Sequence, residues 1–72
     1  MTKNKIHKSA DISSQASIGK DTYVWNNAQI RENVKIGKNC VISKGVYIDK
    51  NVKIGDNCKI QNSALIYDGV KI

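Results

Sequence analysis

Four groups of side chains in this sequence are of types that could do chemistry. His7 is the only histidine, and an imidazole is the commonest general base when an acyl group moves to an amine or hydroxyl. Cys40 and Cys58 are the only cysteines, and a thiol becomes a nucleophile when a base stands beside it. Lys35, Lys53 and Lys71 recur every eighteen residues, so a periodic fold would stack their ammonium groups into a column able to hold phosphates. Trp25, with Tyr23, Tyr47, Leu65 and Tyr67, supplies aromatic and apolar surface for a ligand wall or a protein contact.

The elements that must position these groups come from a six-residue repeat. Ile6, Ile12, Ile18, Val24, Ile30, Ile36, Ile42, Ile48, Ile54, Ile60, Ile66 and Ile72 keep one phase without a slip. Two residues before each stands a small side chain, from Ala10 and Ala16 through Thr22, Val34 and Cys40 to Cys58, Ala64 and Val70, and only Asn4 breaks the series. Residues two apart point to the same side of a strand, so each hexad reads as a short strand with one small and one branched inward residue. A helix would set successive Ile residues about 240° apart and form no stripe. Three residues after each Ile comes Ser9, Gln15, Asp21, Asn27, Asn33, Asn39, Gly45, Asn51, Asn57, Ser63 or Gly69. Most of these are Asn, Asp or Gly, which tolerate a left-handed backbone, so the chain bends once per hexad.

A longer period closes the coil. Gly19, Gly37 and Gly55 are eighteen apart, as are Cys40 and Cys58. Three hexads per turn make a triangular coil, and parallel pairing stacks about four coils at about 4.8 Å. One face carries Tyr23, Trp25 and Val41 outward, the second Tyr47, Leu65 and Tyr67, and the third the glycines and the lysine column. Asn33 with Asn51, and Asn39 with Asn57, are expected to stack as amide ladders. Residues 1–5 are expected to be loosely held and 6–72 to form one repeat domain, open at its C-terminal end. The bare end at Ile72 reads as that of a fragment.

Composition narrows the classes. Twelve Lys and Arg against six Asp and Glu give +6, which reads as a solvated lysine surface. The charges are spread over several faces and not interleaved with aromatics, which disfavours a nucleic-acid partner. No stretch approaches the ~20 apolar residues of a membrane span, and no apolar run marks an export signal. The cysteines then read as reduced thiols and the chain as cytoplasmic, with no membrane partner. Both cysteines occupy the phase that elsewhere holds Ala and Val, and no histidine stands near to activate them. Two cysteines and one distant histidine are too few for zinc, so no metal is expected. His7 lies in the least supported coil and reads as solvent-exposed rather than as a base.

This pattern resembles the hexapeptide-repeat acyltransferases, whose fold is a left-handed parallel β-helix. Within that family His7-Lys-Ser-Ala, the Tyr23-Val-Trp25 pair and Lys59-Ile-Gln-Asn-Ser-Ala-Leu-Ile-Tyr-Asp68 are similar to segments of bacterial nucleotide-sugar N-acetyltransferases. Lys8 departs from the proline those enzymes carry. The resemblance implies acetyl-CoA as co-substrate, a nucleotide-linked amino sugar as acceptor, and a homotrimer binding CoA along the groove between neighbouring prisms. It makes Trp25, Asn26, Gln61, Asn62 and Tyr67 candidate substrate-binding residues, and Lys35, Lys53 and Lys71 candidate phosphate-binding residues. The catalytic residues stay unassigned, because the family's reaction centre lies mostly beyond the segment matching Asp68. The alternative is a non-catalytic β-helix scaffold or a self-assembling structural piece.

Overall fold

The computed structural model describes residues 5–72. Eleven two-residue strands follow one another: β1 (Lys5–Ile6), β2 (Asp11–Ile12), β3 (Ser17–Ile18), β4 (Tyr23–Val24), β5 (Gln29–Ile30), β6 (Lys35–Ile36), β7 (Val41–Ile42), β8 (Tyr47–Ile48), β9 (Lys53–Ile54), β10 (Lys59–Ile60) and β11 (Leu65–Ile66). They form three parallel sheets, in the orders β1-β4-β7-β10, β2-β5-β8-β11 and β3-β6-β9. A bridge from Lys53 to Lys71 extends the third sheet. The chain is therefore an all-β, left-handed parallel β-helix with three sides per coil. Residues 1–4, most of the segment expected to be loose, lie outside the described residues. Lys5 opens β1, and its N–H donates to the Thr22 carbonyl at 3.2 Å.

The register is the one the hexads require. Ile6 lies opposite Val24, Val24 opposite Ile42, and Ile42 opposite Ile60. The strands are two residues each, but the ladder runs past their ends. The N–H of His7, for example, donates to the Val24 carbonyl at 2.8 Å.

The corners explain the Asn phase. Asp21, Asn27, Asn33, Asn39, Asn51, Asn57 and Ser63 have φ between 57° and 62°, and Gly45 and Gly69 have φ of 67° and 80°. A positive φ at the third residue marks a type II turn. Its central peptide stands along the helix axis, so the turn residue's N–H reaches the neighbouring coil. Asn39 donates to Lys20, Asn51 to Glu32, Asn57 to Lys38 and Ser63 to Lys44, all at 2.9–3.0 Å. The exceptions sit in the first coil. Ser9 and Gln15 keep negative φ; their turns close through Ala10 to His7 at 2.9 Å and Ala16 to Ser13 at 3.0 Å, the same local bond that is longer, 3.2–3.4 Å, at the positive-φ corners Asn27, Gly45, Ser63 and Gly69. One expected amide ladder forms: Asn33 Nδ2 donates to Asn51 Oδ1 at 3.4 Å, and Asn51 Nδ2 donates to Asp68 Oδ1 at 3.3 Å. Between Asn39 and Asn57 it does not, and there the Asp56 carboxylate takes the Lys38 N–H at 2.9 Å instead.

The core lies on the axis. Ala28, Ile30, Val34, Cys40, Ile42, Val46, Ile48 and Val52 are fully buried, and each large aliphatic among them contributes about 1.5–3 kcal/mol by leaving water. Thr22 is the polar member. Its Oγ1 donates to the Gly37 carbonyl at 2.8 Å and accepts the Cys40 N–H at 3.2 Å, so a β-branched residue fills a Val position without an unpaired group. The end positions differ from the reading of an unbroken core. Ile6 is 45% exposed and Ile72 52%, because an end coil has a neighbour on one side only.

Candidate functional site

The face built from β1, β4, β7 and β10 holds the grooves. Its outward column is Lys5, Tyr23, Val41 and Lys59. At the same eighteen-residue offset, the corner carries the columns His7, Trp25, Ser43, Gln61 and Lys8, Asn26, Lys44, Asn62. Ser43 is the smallest member of its column and follows Trp25, so a notch opens beside the indole. The resulting groove has a volume of about 520 Å3 and is lined by Trp25, Asn26, Val41, Ser43, Lys44, Lys59 and Asn62. A second, more apolar groove lies on the other side of the indole, lined by Lys5, Ile6, His7, Tyr23, Val24 and Trp25. Tyr23 packs against Trp25 with ring centroids 6.2 Å apart and planes tilted by 40°, and Lys5 Nζ lies 5.4 Å from the centre of the Tyr23 ring. Trp25 is 49% exposed although it is braced in this way.

Three of the candidate substrate residues, Trp25, Asn26 and Asn62, come together in the first groove. Gln61 precedes Asn62 on the corner, where its carbonyl accepts the Ala64 N–H at 3.3 Å, and it does not line the groove. Tyr67, 66% exposed, stands one corner further along and belongs to neither groove. Ser43, Lys44 and Lys59 line the groove without having been singled out from the sequence. The signal for them was present in the eighteen-residue columns through Trp25, Asn26 and Tyr23.

The lysine column is real: Lys35 lies opposite Lys53, and Lys53 bridges to Lys71. All three are exposed on the third face, beside the close-packed glycines. Among the described residues no carboxylate pairs with them. The ion pairs are elsewhere: Arg31 with Asp11 at 3.7 Å and with Glu32 at 3.0 Å, and Lys50 with Asp68 at 3.3 Å. The hydrogen bond from Lys50 to Asp68, reinforced by the charges of Asp68 and Asp49, raises the Lys50 ammonium above its ordinary range.

His7 is tied into its corner. Nδ1 accepts the Ser9 N–H at 3.1 Å and meets Ser9 Oγ at 2.8 Å, while Ser9 Oγ accepts the Asn27 N–H at 2.9 Å. With Nδ1 held by the Ser9 N–H, Nε2 is the ring nitrogen left without a partner among the described residues. The thiols are free and point at carbonyls, Cys40 Sγ at Gly55 O (3.1 Å) and Cys58 Sγ at Asp56 O (3.6 Å). Among the described residues no three His, Cys, Asp or Glu side chains converge as metal ligands, and no helix is long and apolar enough to cross a membrane.

Stacked hexads, left-handed bends at Asn and a groove on one prism face define a hexapeptide-repeat β-helix. The chain belongs to the bacterial transferase hexapeptide family, whose six-repeat model matches residues 15–50. Among solved structures it is similar to a His-to-Asn mutant of perosamine N-acetyltransferase from Caulobacter crescentus, crystallised with CoA and GDP-perosamine. The two share 26% identity at a TM-score of 0.93, over 94% of this chain and 32% of that one. The chain thus spans about a third of the length of that enzyme. No curated protein sequence matches it.

Proposed function

We propose that the chain forms coils of an acetyl-CoA-dependent N-acetyltransferase acting on the amino group of a nucleotide-linked sugar. The observation that carries this reading is the superposition of nearly the whole chain on an enzyme crystallised with CoA and a nucleotide sugar. In such a reaction acetyl-CoA supplies an activated carbonyl, the amine nitrogen bonds to it as the carbon–sulfur bond breaks, and the ammonium proton must be taken up. The chain's own contribution is binding. The unpaired Lys35, Lys53 and Lys71 fit the phosphates of CoA, and Trp25, Asn26 and Asn62 fit part of an acceptor wall. The proton balances on the departing CoA thiolate, which leaves as the thiol, and His7, with Nδ1 held by Ser9, is assigned no part in that transfer. A homotrimer in the cytoplasm, joined through the faces bearing Trp25 and Leu65, completes the proposal.

The test is acetyl transfer by the protein encoded by the complete reading frame, given acetyl-CoA and a panel of nucleotide-linked amino sugars. Mass spectrometry is expected to find one acceptor gaining an acetyl group. No product with any acceptor would remove the enzymatic reading. One observation favours a second reading, a non-catalytic scaffold: no positioned base stands on the described residues. In that case the same protein would assemble without transferring acetyl groups.

A further inference from the structure

We infer that the groove beside Trp25 is a nucleoside-diphosphate subsite, with the base against the indole and the phosphates on Lys44 and Lys59. The inference rests on the nucleotide-sugar reading above for the source of that ligand, but its support is separate. Ser43 is only 7% exposed and lines the groove, yet its hydroxyl has no hydrogen-bond partner among the described residues. Buried polar groups are nearly always paired, so an orphan hydroxyl facing a groove marks a place for a ligand atom. The charges agree. Lys44 and Lys59 line the groove with no carboxylate in its lining and none paired to either ammonium. The side-chain amides of Asn26 and Asn62, also in the lining, make no hydrogen bond within the described residues.

These groups match the parts of one ligand. Trp25, braced by Tyr23 and half exposed, offers an aromatic surface of the kind on which nucleic-acid bases stack, with stacking insensitive to which base is present. Two free ammonium groups suit a diphosphate. A hydroxyl and two amides suit a ribose. The volume, about 520 Å3, lies within the roughly 300–1,000 Å3 of small-molecule sites. The ADP part of CoA has the same chemistry, and the test must separate the two sources.

Trp25 is the only tryptophan in the chain, so selectively excited indole fluorescence reports on this one side chain, and the Lys44 and Lys59 variants assign any change to this groove rather than to the one on the other side of the indole. Titration of the 72-residue chain with GDP, UDP and CoA is expected to give a saturable change with GDP or UDP and a weaker one with CoA. Lys44→Met and Lys59→Met should each weaken nucleotide binding about tenfold, as expected for loss of a charge-assisted hydrogen bond. Ser43→Ala should weaken it several-fold, and added salt should weaken it in all of them. Calorimetry should find binding kept in Trp25→Phe and lost in Trp25→Ala. Circular dichroism checks that each variant is folded; the lysines are exposed and their replacement leaves the core intact. No fluorescence change, a change indifferent to both lysines, or tighter binding of CoA than of GDP and UDP would each overturn the assignment. The transfer assay separates the two readings. Nucleotide binding without acetyl transfer removes the enzymatic reading and keeps the subsite. Transfer with no nucleotide effect on Trp25 does the reverse.

Discussion

Gly19 and Gly55 occupy the same column of the third face, yet replacing them by alanine should move stability in opposite directions. A Cβ on Gly19 would lie 2.5 Å from the Gly37 carbonyl carbon, 2.7 Å from its oxygen and 2.7 Å from Lys38 N. All three are backbone atoms, held by ladder bonds such as Gly19 N–H to Ile36 O and Gly37 N–H to Ile54 O, both 2.8 Å. Reaching ordinary van der Waals separation would part the coils by about 1 Å. Overpacking of this kind costs about 1–3 kcal/mol. The φ of Gly19 is not positive, so alanine recovers about 0.4–1 kcal/mol by restricting the unfolded chain. Three backbone atoms under 3.0 Å put the cost in the upper part of that range, about 2–3 kcal/mol, so the net is a loss of about 1–2.6 kcal/mol, or a fall in Tm of about 4–20 °C for a domain of this size. At Gly55 the added Cβ meets only the Ile72 carbonyl oxygen, at 3.5 Å. There the unfolded-chain effect stands alone, and Gly55→Ala should raise Tm by a few degrees. Thermal and urea melts of both variants of the 72-residue chain, followed by circular dichroism, decide it. Equal losses in the two variants, or no loss at Gly19, would refute close approach of the coils as the reason for this column. Because a repeat stack couples nearest neighbours, hydrogen exchange in Gly19→Ala should quicken around β3 and β6 before β9.

Thr22→Val keeps the shape but strands the buried Cys40 N–H and Gly37 carbonyl; urea titration should show a loss of about 1–3 kcal/mol. Ser63 is the one left-handed corner residue (φ 59°) that is not Asn, Asp or Gly. Ser63→Asn should therefore stabilise by about 0.5–1 kcal/mol, since Asn carries this conformation at lower cost, and a thermal melt measures it. Lys50 has its folded pKa raised above the ordinary 10.5, first by its hydrogen bond to Asp68. Its contribution is fully present below about pH 10.5 and is lost as pH rises through the higher folded value. An alkaline stability titration should show the native chain converging on Lys50→Met above that point and no such convergence at neutral pH.

The scaffold was legible because the inward phases are under one physical constraint throughout: a Cβ on the axis must be apolar or paired. Ile30, Ile42 and Ile48 announce that by type, and full burial fails toward the ends, where Ile6, Val70 and Ile72 are exposed and Ile12 and Ile18 half-buried, since burial needs a neighbour on both sides. The corners were legible from the cost of positive φ, with Ser63 as the position where tertiary context overrode residue preference. The groove was less so. Trp25 stood out as an outward aromatic, but Ser43 does not look like a site residue until it is placed after Trp25 in its column. Lys44 and Lys59 are two lysines among many until the register sets them on one groove. Tyr67, chosen for its type and its segment, lies on the second face, where its phase had already put it, and lines neither groove. Residue type identified what must be inside; only column membership identified what is side by side outside.

That asymmetry bears on how a chemistry can be written on this fold. Truncating a core aliphatic such as Ile42, fully buried, costs about 2–5 kcal/mol, whereas an exposed outward position changes by about 0.5 kcal/mol or less. Outward columns can therefore vary while the prism stays folded, and most of what stands there has no folding reason to be polar, aromatic or charged in particular. Ser43 falls between the two classes. It is buried like a core residue, but its hydroxyl is unpaired, so stability alone would favour alanine there. A side chain that burial disfavours, placed where a large neighbour leaves room and where two unpaired lysines converge, is better explained by what enters the groove than by what holds the coil.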